Sequence, residues 1–251
     1  MPSRLLKELG YAESDPTNDV EGIDAAYKAV ILSQFGFGAT IDFDDVTHKG
    51  ITNISTDDVA VAQELGYVIK LVGDVREVES GISAEVSPTF LPKNHPLASV
   101  NDVMNAVFVE SIGIGESMYY GPGAGQKPTA TSVLADIIRI ARRLSDGNVG
   151  KPFNEFRRDL PLANPADVKS NYYFALDTPD EKGKILHLSE IFNSEDISFE
   201  QVLQQKANGT TARIVVITHA MSKTQLKAVT EKLEAAEDFT VVNTLKVLSN
   251  Y

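Results

Sequence analysis

GYAESDPTNDVEGIDAAYK, residues 10–28, passes from a loop into a helix and carries more charge than folding alone requires. Asp15-Pro16-Thr17-Asn18-Asp19 is a cluster of turn formers, and Pro16 disfavours the helical region for Asp15, so irregular backbone is expected there. From residue 22 to residue 37 the run GIDAAYKAVILSQFGF is apolar on almost every side, the pattern of a helix packed between other elements. Its only charged residues are Asp24 and Lys28. At about 100° per residue, Asp24, Lys28, Ile31 and Phe35 fall on one stripe, so the charges share a face with apolar neighbours. An Asp/Lys pair four residues apart is commonly a solvated ion pair on the outside of a helix. Here the helix has little polar surface to turn toward water, and a buried lysine must be paired or functional. The expectation is therefore a buried Lys28 whose proton affinity is tuned for exchange with a substrate oxygen. Glu13 and Asp19, on the preceding loop, would supply carboxylates suited to a substrate with its own positive charge.

A second dense stretch is YYGPGAGQKPTATSVLADIIRIAR, residues 119–142. Three glycines and a proline within five residues preclude regular structure, and they let backbone approach a ligand before a helix begins at Pro128-Thr129. An anion or a ring would fit against such a helix start. Taken alone, the loop reads as a tight turn between strand and helix.

Residues 10–28 resemble the substrate-binding signature of homoserine dehydrogenases, through Gly10-Tyr11, Glu13, Asp15-Pro16, Asp19-Val20-Glu21-Gly22 and the Asp24/Lys28 pair. Residues 119–142 resemble the second hallmark of the same family, in the family's order. The resemblance implies that Lys28 is the acid/base acting on the hydroxyl or aldehyde oxygen, that Asp24 assists it, and that Glu13 and Asp19 hold the amino acid end of the substrate. It places the Gly10 backbone, and Gly121, Gly123, Gly125 and Ala130, beside the nicotinamide cofactor, NAD or NADP. That cofactor would be bound mainly by a nucleotide-binding domain preceding this stretch, because no G-x-G-x-x-G turn between a strand and a helix occurs in the sequence. The resemblance also implies that the family's further lysine and its monovalent cation site would precede it. Gly113-Ile114-Gly115-Glu116-Ser117 has alternating glycines but neither a third glycine nor a following helix, and carries little weight.

Composition narrows the alternatives. With 251 residues, 43% of them hydrophobic, the chain has material for a real core. A formal charge of -12 and the lack of a basic stretch argue against nucleic acid or an anionic membrane as partner. Without cysteine there is no disulfide or thiolate site, and four scattered histidines show no ligand spacing, so no metal site is expected. MPSRLLKELGY lacks a signal-peptide core and reads as the tail of a helix stopping at Gly10, an interior start with cytoplasmic location as the default.

The expected fold is α+β. Residues 1–150 would form a mixed-sheet catalytic and dimerisation domain, residues 151–169 a surface linker, and residues 170–251 a ferredoxin-like βαββαβ domain. In the first part, strands are expected at 50–54, 67–72, 75–79, 84–91 and 106–110. Gly73-Asp74 would be a hairpin turn, and Pro88 and Pro92 would mark an edge. A helix at 59–65 would follow a cap at Thr56-Asp57-Asp58. In the last part, strands at 172–176, 197–204, 212–219 and 239–247 alternate with helices at 185–193 and 222–236, the second capped by Ser222. That layout resembles an ACT domain, which implies an amino acid effector such as threonine near Gly183, at the end of a loop running from Asp177. The leading reading is the catalytic and regulatory part of a homoserine dehydrogenase, a homodimer or homotetramer acting on a small amino acid substrate and inactive as this stretch alone. The alternative is a non-catalytic amino acid-sensing or assembly module.

Overall fold

The computed structural model describes residues 15–148, 150, 156–205 and 209–248. They are α+β and fall into two compact units, one made of Thr17–Lys93 with Arg157–Tyr251, the other centred on Asn94–Phe156. Compactness thus cuts across the sequential boundary at residue 150. Among the described residues no helix is long and apolar enough to cross a membrane.

The larger unit opens with a short helix, α1 (Thr17–Val20), and the helix α2 (Ile23–Leu32), which runs on into a π-turn at Ser33–Phe37. Gly22 joins them at φ 78, a left-handed conformation for which glycine has no steric penalty. Strand β1 (Thr47–His48) is brief; residues 51–53 form a turn instead of the strand expected at 50–54. Helix α3 (Thr56–Glu64) starts at Ser55, whose side chain accepts from the Asp58 N–H while Asp58 accepts from the Ser55 N–H, a reciprocal capping box.

A long hairpin follows, β2 (Tyr67–Val78) against β3 (Gly81–Pro92), in unbroken antiparallel register from Tyr67 opposite Pro92 to Val78 opposite Gly81. Gly73 and Asp74 therefore lie inside β2, opposite Val86 and Glu85, and the expected turn there does not exist. The glycine serves close packing: a Cβ on Gly73 would stand 3.6 Å from Val86 and 3.7 Å from the Ala25 carbonyl of α2. Nor is β3 an edge. Its other side pairs in parallel with β1 at Glu85 and Val86 and with β10 (Thr240–Val247) at Thr89 and Phe90. Val86 and Phe90 carbonyls accept bonds on that side, from Lys49 and Leu248, so Pro88 faces it too, in the gap between the two partners. Its missing N–H interrupts no ladder bond there.

Beyond β10 the sheet continues through β6 (Lys169–Pro179), β8 (Thr211–Thr218) and β7 (Phe199–Gln204), all antiparallel. With α5 (Lys184–Asn193) and α6 (Lys223–Ala235) this is the expected βαββαβ layout, in the ferredoxin-like strand order β10-β6-β8-β7. Alternation along β6 divides the core. Phe174 and Leu176 pack under α5 and α6 with Leu188, Phe192, Val229 and Leu233, whereas Tyr173 and Ala175 face Val61 and Ala62 of α3 together with Phe90 and Leu245. A third cluster seats α2 on the sheet through Ala26 and Ala29 against Ile82, Ala84 and Val86.

The described part of the linker is tied to this sheet. Ile82 donates to the Pro161 carbonyl at 2.9 Å, and Arg158 forms a bidentate pair with Glu77 at 2.6 Å for each bond.

In the smaller unit, β4 (Met104–Ser111) pairs with β5 (Gly115–Pro122), so Gly113 sits in the hairpin turn and Gly115 opens the second strand. Helix α4 (Gln126–Ser145) begins two residues before the expected Pro128. None of its residues is buried in this chain, and Val133, Ile137, Ile140 and Leu144 form an exposed apolar stripe at helical spacing.

Candidate active site

Asp24 and Lys28 sit one turn apart on α2, and their side chains meet at 2.5 Å. The pairing follows the sequence reading, but the burial does not. The side chains are 48% and 54% exposed, the exposure of a surface ion pair. The reason lies in how α2 packs. Small residues, Ala26 and Ala29, take the buried face, so the helix approaches the sheet closely while Tyr27, Ile31, Leu32 and Phe35 stay exposed. The apolar stripe around Lys28 is real, and within this chain it faces outward. Tyr27 closes one flank by stacking on Phe43, with ring centroids 4.5 Å apart.

Asp19 lies in α1, directly before the turn into α2, and its side chain is exposed. The turn is drawn tight by backbone bonds from Glu21 N–H to the Thr17 carbonyl at 2.9 Å and from Ala26 N–H to the Gly22 carbonyl at 2.9 Å. Glu13 and Gly10, expected at the substrate and cofactor, lie outside the described residues.

The glycine loop belongs to the smaller unit. Gly121 lies in β5 with open space where a side chain would be, whereas a Cβ on Gly123 would stand 1.9 Å from the Asn105 amide. The Gly123 N–H donates to the Val103 carbonyl at 2.9 Å, so this glycine lets the loop fold back on its own hairpin. Gly125, at φ 124, is the N-cap of α4, with no side chain capping it among the described residues. Ala130 is exposed in the first turns of that helix. In the ferredoxin-like half, Gly183 is the N-cap of α5 at φ 92, whereas Asp177 lies inside β6 and not at the start of the expected loop, held by Arg213 across the ladder through bonds of 2.8 and 3.0 Å.

Two polar clusters in the larger unit go beyond the sequence reading. Lys246 of β10 is 6% exposed and contacts Asp74 of β2 at 2.5 Å and Glu85 of β3. Lys223 reaches the other Glu85 oxygen at 2.6 Å, and Arg76 reaches Asp74 at 2.5 Å. Burial pushes both carboxyls up, but the surrounding cations outweigh it and hold them below the usual range. The second cluster surrounds buried Asp58, which accepts from Tyr173 and Asn243, each at 3.0 Å. A lone lysine late in the otherwise uncharged strand TVVNTLKV was the sequence signal for the first; the second showed only as a cap.

Comparison with known proteins identifies the family. The pattern of the homoserine dehydrogenase family matches residues 4–138. Homoserine dehydrogenase of Lactococcus lactis is 60% identical over 244 residues, covering 97% of this chain and 57% of that protein. The Bacillus subtilis homoserine dehydrogenase is 38% identical, covering 93% of this chain and 55% of that protein. The crystal structure of a homoserine dehydrogenase from Thiobacillus denitrificans superposes with a TM-score of 0.88 at 34% identity, over 98% of this chain and 57% of that one. The chain therefore spans a little over half the length of these relatives. With the family pattern covering most of its first 138 residues, the chain belongs to the homoserine dehydrogenase family.

Proposed function

We propose that this chain provides the substrate-handling part of a homoserine dehydrogenase, interconverting L-aspartate 4-semialdehyde and L-homoserine with NAD(P)H, together with an amino acid-sensing module. The observation that carries the reading is the Asp24–Lys28 pair at 2.5 Å, inside the stretch of residues 4–138 that matches the family pattern. In the reductive direction the Lys28 ammonium donates a proton to the carbonyl oxygen of the semialdehyde; in the oxidative direction the amine takes the hydroxyl proton of homoserine. Asp24, paired with it, orients the Nζ. Asp19 and Glu13 bind the substrate's ammonium group.

A nicotinamide, when bound, supplies the hydride. The glycine loop suits such a group: the Gly121 backbone is open, and the first-turn N–H groups of the twenty-residue helix α4 have no side-chain cap among the described residues. Gly10, Gly121, Gly123, Gly125 and Ala130 are the assigned cofactor neighbours, with NAD or NADP held mainly by the portion that the relatives have in addition. Residues 1–150 act as the catalytic and dimerisation domain and residues 170–251 as an ACT-like domain, with threonine or a similar amino acid bound near Gly183. The ferredoxin-like strand order supports that domain, and the exposed apolar stripe of α4 supports a homodimer or homotetramer. The cytoplasm, where such amino acid chemistry finds its reduced cofactor, is the assigned location.

Lys28→Ala, in a full-length enzyme carrying this chain, is expected to lower kcat by about 10²- to 10⁴-fold with an unchanged circular dichroism spectrum. Turnover near the wild-type rate would remove Lys28 from the chemistry. The present chain by itself is expected to show negligible turnover with NADPH and aspartate semialdehyde. Calorimetric titration with threonine tests the sensing module, and no heat at millimolar threonine counts against it.

A further inference from the structure

We infer that Gly50 is a positioning residue for the substrate end of this site: its backbone presses against the last turn of α1 and fixes where Asp19 stands. The inference rests on the role proposed above for Asp19. A Cβ on Gly50 would lie 2.2 Å from the Val20 carbonyl oxygen and 2.5 Å from the Glu21 Cα. Both are backbone atoms, so no side-chain rotation can relieve the overlap. Gly50 is not among the positive-φ glycines, so the need for glycine is one of space.

The residues on either side make this contact a clamp. Lys49 N–H donates to the Val86 carbonyl of β3 at 2.8 Å, and Ile51 N–H donates to the Val20 carbonyl at 2.8 Å. Segment 49–51 thus ties α1 to the sheet. The same valine bears on the other end of the turn, since a Cβ on Gly22 would stand 3.2 Å from Val86 Cγ1. Asp19 has an exposed side chain, so its carboxylate is placed through the backbone of its own turn, held between Gly50 and Gly22. A methyl at Gly50 forces α1 to retreat by roughly 1 Å to restore ordinary contact, which is enough to misplace a substrate-binding carboxylate.

The test uses Gly50→Ala and Ile51→Pro in a full-length enzyme carrying this chain. The second variant removes the 2.8 Å bond to Val20 at a residue that is 43% exposed. Both are expected to raise KM for homoserine about tenfold or more, with kcat and the KM for the nicotinamide cofactor within about threefold, the signature of lost substrate binding. Leu233→Ala, in the distant core beneath α6, should lower Tm without moving any KM. An unchanged homoserine KM in both clamp variants overturns the inference, as does an equal rise in Leu233→Ala. Hydrogen exchange gives a readout independent of turnover. Gly50→Ala in the present chain should expose the Glu21 amide, and unaltered protection there refutes the clamp. Absence of homoserine oxidation by the wild-type enzyme would instead sink the assigned reaction.

Discussion

Asp58 accepts four hydrogen bonds where α3 begins: from the Ser55 N–H at 3.0 Å, the Ser55 hydroxyl at 2.8 Å, and Tyr173 and Asn243 at 3.0 Å each. Burial pushes its carboxyl up, but the bonds from Ser55, Asn243 and Tyr173 prevail and hold it below the ordinary aspartate value. A carboxyl depressed in the folded state stabilises the protein above its unfolded pKa, and that stability is lost as pH falls through the folded value. The wild-type urea midpoint should therefore decline below about pH 4, and the decline should be shallower in Asp58→Asn. Identical slopes would show that Asp58 carries no linkage. Asp58→Ala, which strips Tyr173 and Asn243 of their buried acceptor, is expected to cost about 2–4 kcal/mol at pH 7. The sequence exposed only the local half of this network, because Ser55 is three residues away whereas Tyr173 and Asn243 are 115 and 185 away. Lys28 taught the reverse lesson. Its pairing with Asp24 was legible from an i,i+4 spacing, but its burial depended on what covers the apolar stripe of α2, which composition does not reveal.

At the scale of elements, the ferredoxin-like half was readable because its signals are local. Ser222 and Gln225 form a reciprocal cap on α6, and Gly183 adopts the left-handed conformation that starts α5. The β2/β3 hairpin misled for the opposite reason. Gly73-Asp74 has turn chemistry, yet the glycine is there to admit α2, and the aspartate is there to meet Lys246 and Arg76. That ionic cluster joins the hairpin to β10 and α6, and its worth is measurable. Lys246→Met keeps most of the stem's packing while leaving Asp74 and Glu85 short of a buried cation. It is expected to cost about 3 kcal/mol in chemical denaturation. A loss under about 1 kcal/mol would mean that Arg76 and Lys223 suffice to balance the two carboxylates. Because both carboxyls are depressed in the folded state, their contribution has the same sign as that of Asp58 and fades toward acid pH.

Within the larger unit, one sheet runs from the hairpin that carries α2 to the far edge of the ferredoxin-like half, joined where β3 and β10 pair in parallel at Thr89–Lys246 and Phe90–Val247. The core under that joint draws Val61 and Ala62 from α3, Phe90 from β3, and Tyr173, Val215 and Leu245 from the last third of the chain. No periodicity in the sequence could announce this pairing, since its partners lie in segments that each make sense locally without the other. The consequence is cooperative. Native-state hydrogen exchange should give residues 81–92, 172–176, 214–217 and 240–247 a common opening free energy, instead of a stable ferredoxin-like core beside a looser hairpin. Leu245 is 2% exposed within the shared cluster, so Leu245→Ala should lower that free energy by about 2–4 kcal/mol at β3 and β6 alike. If protection falls in β6 while the amides of β3 keep theirs, the hairpin opens on its own, and the parallel joint between β3 and β10 does not couple the two parts of the sheet.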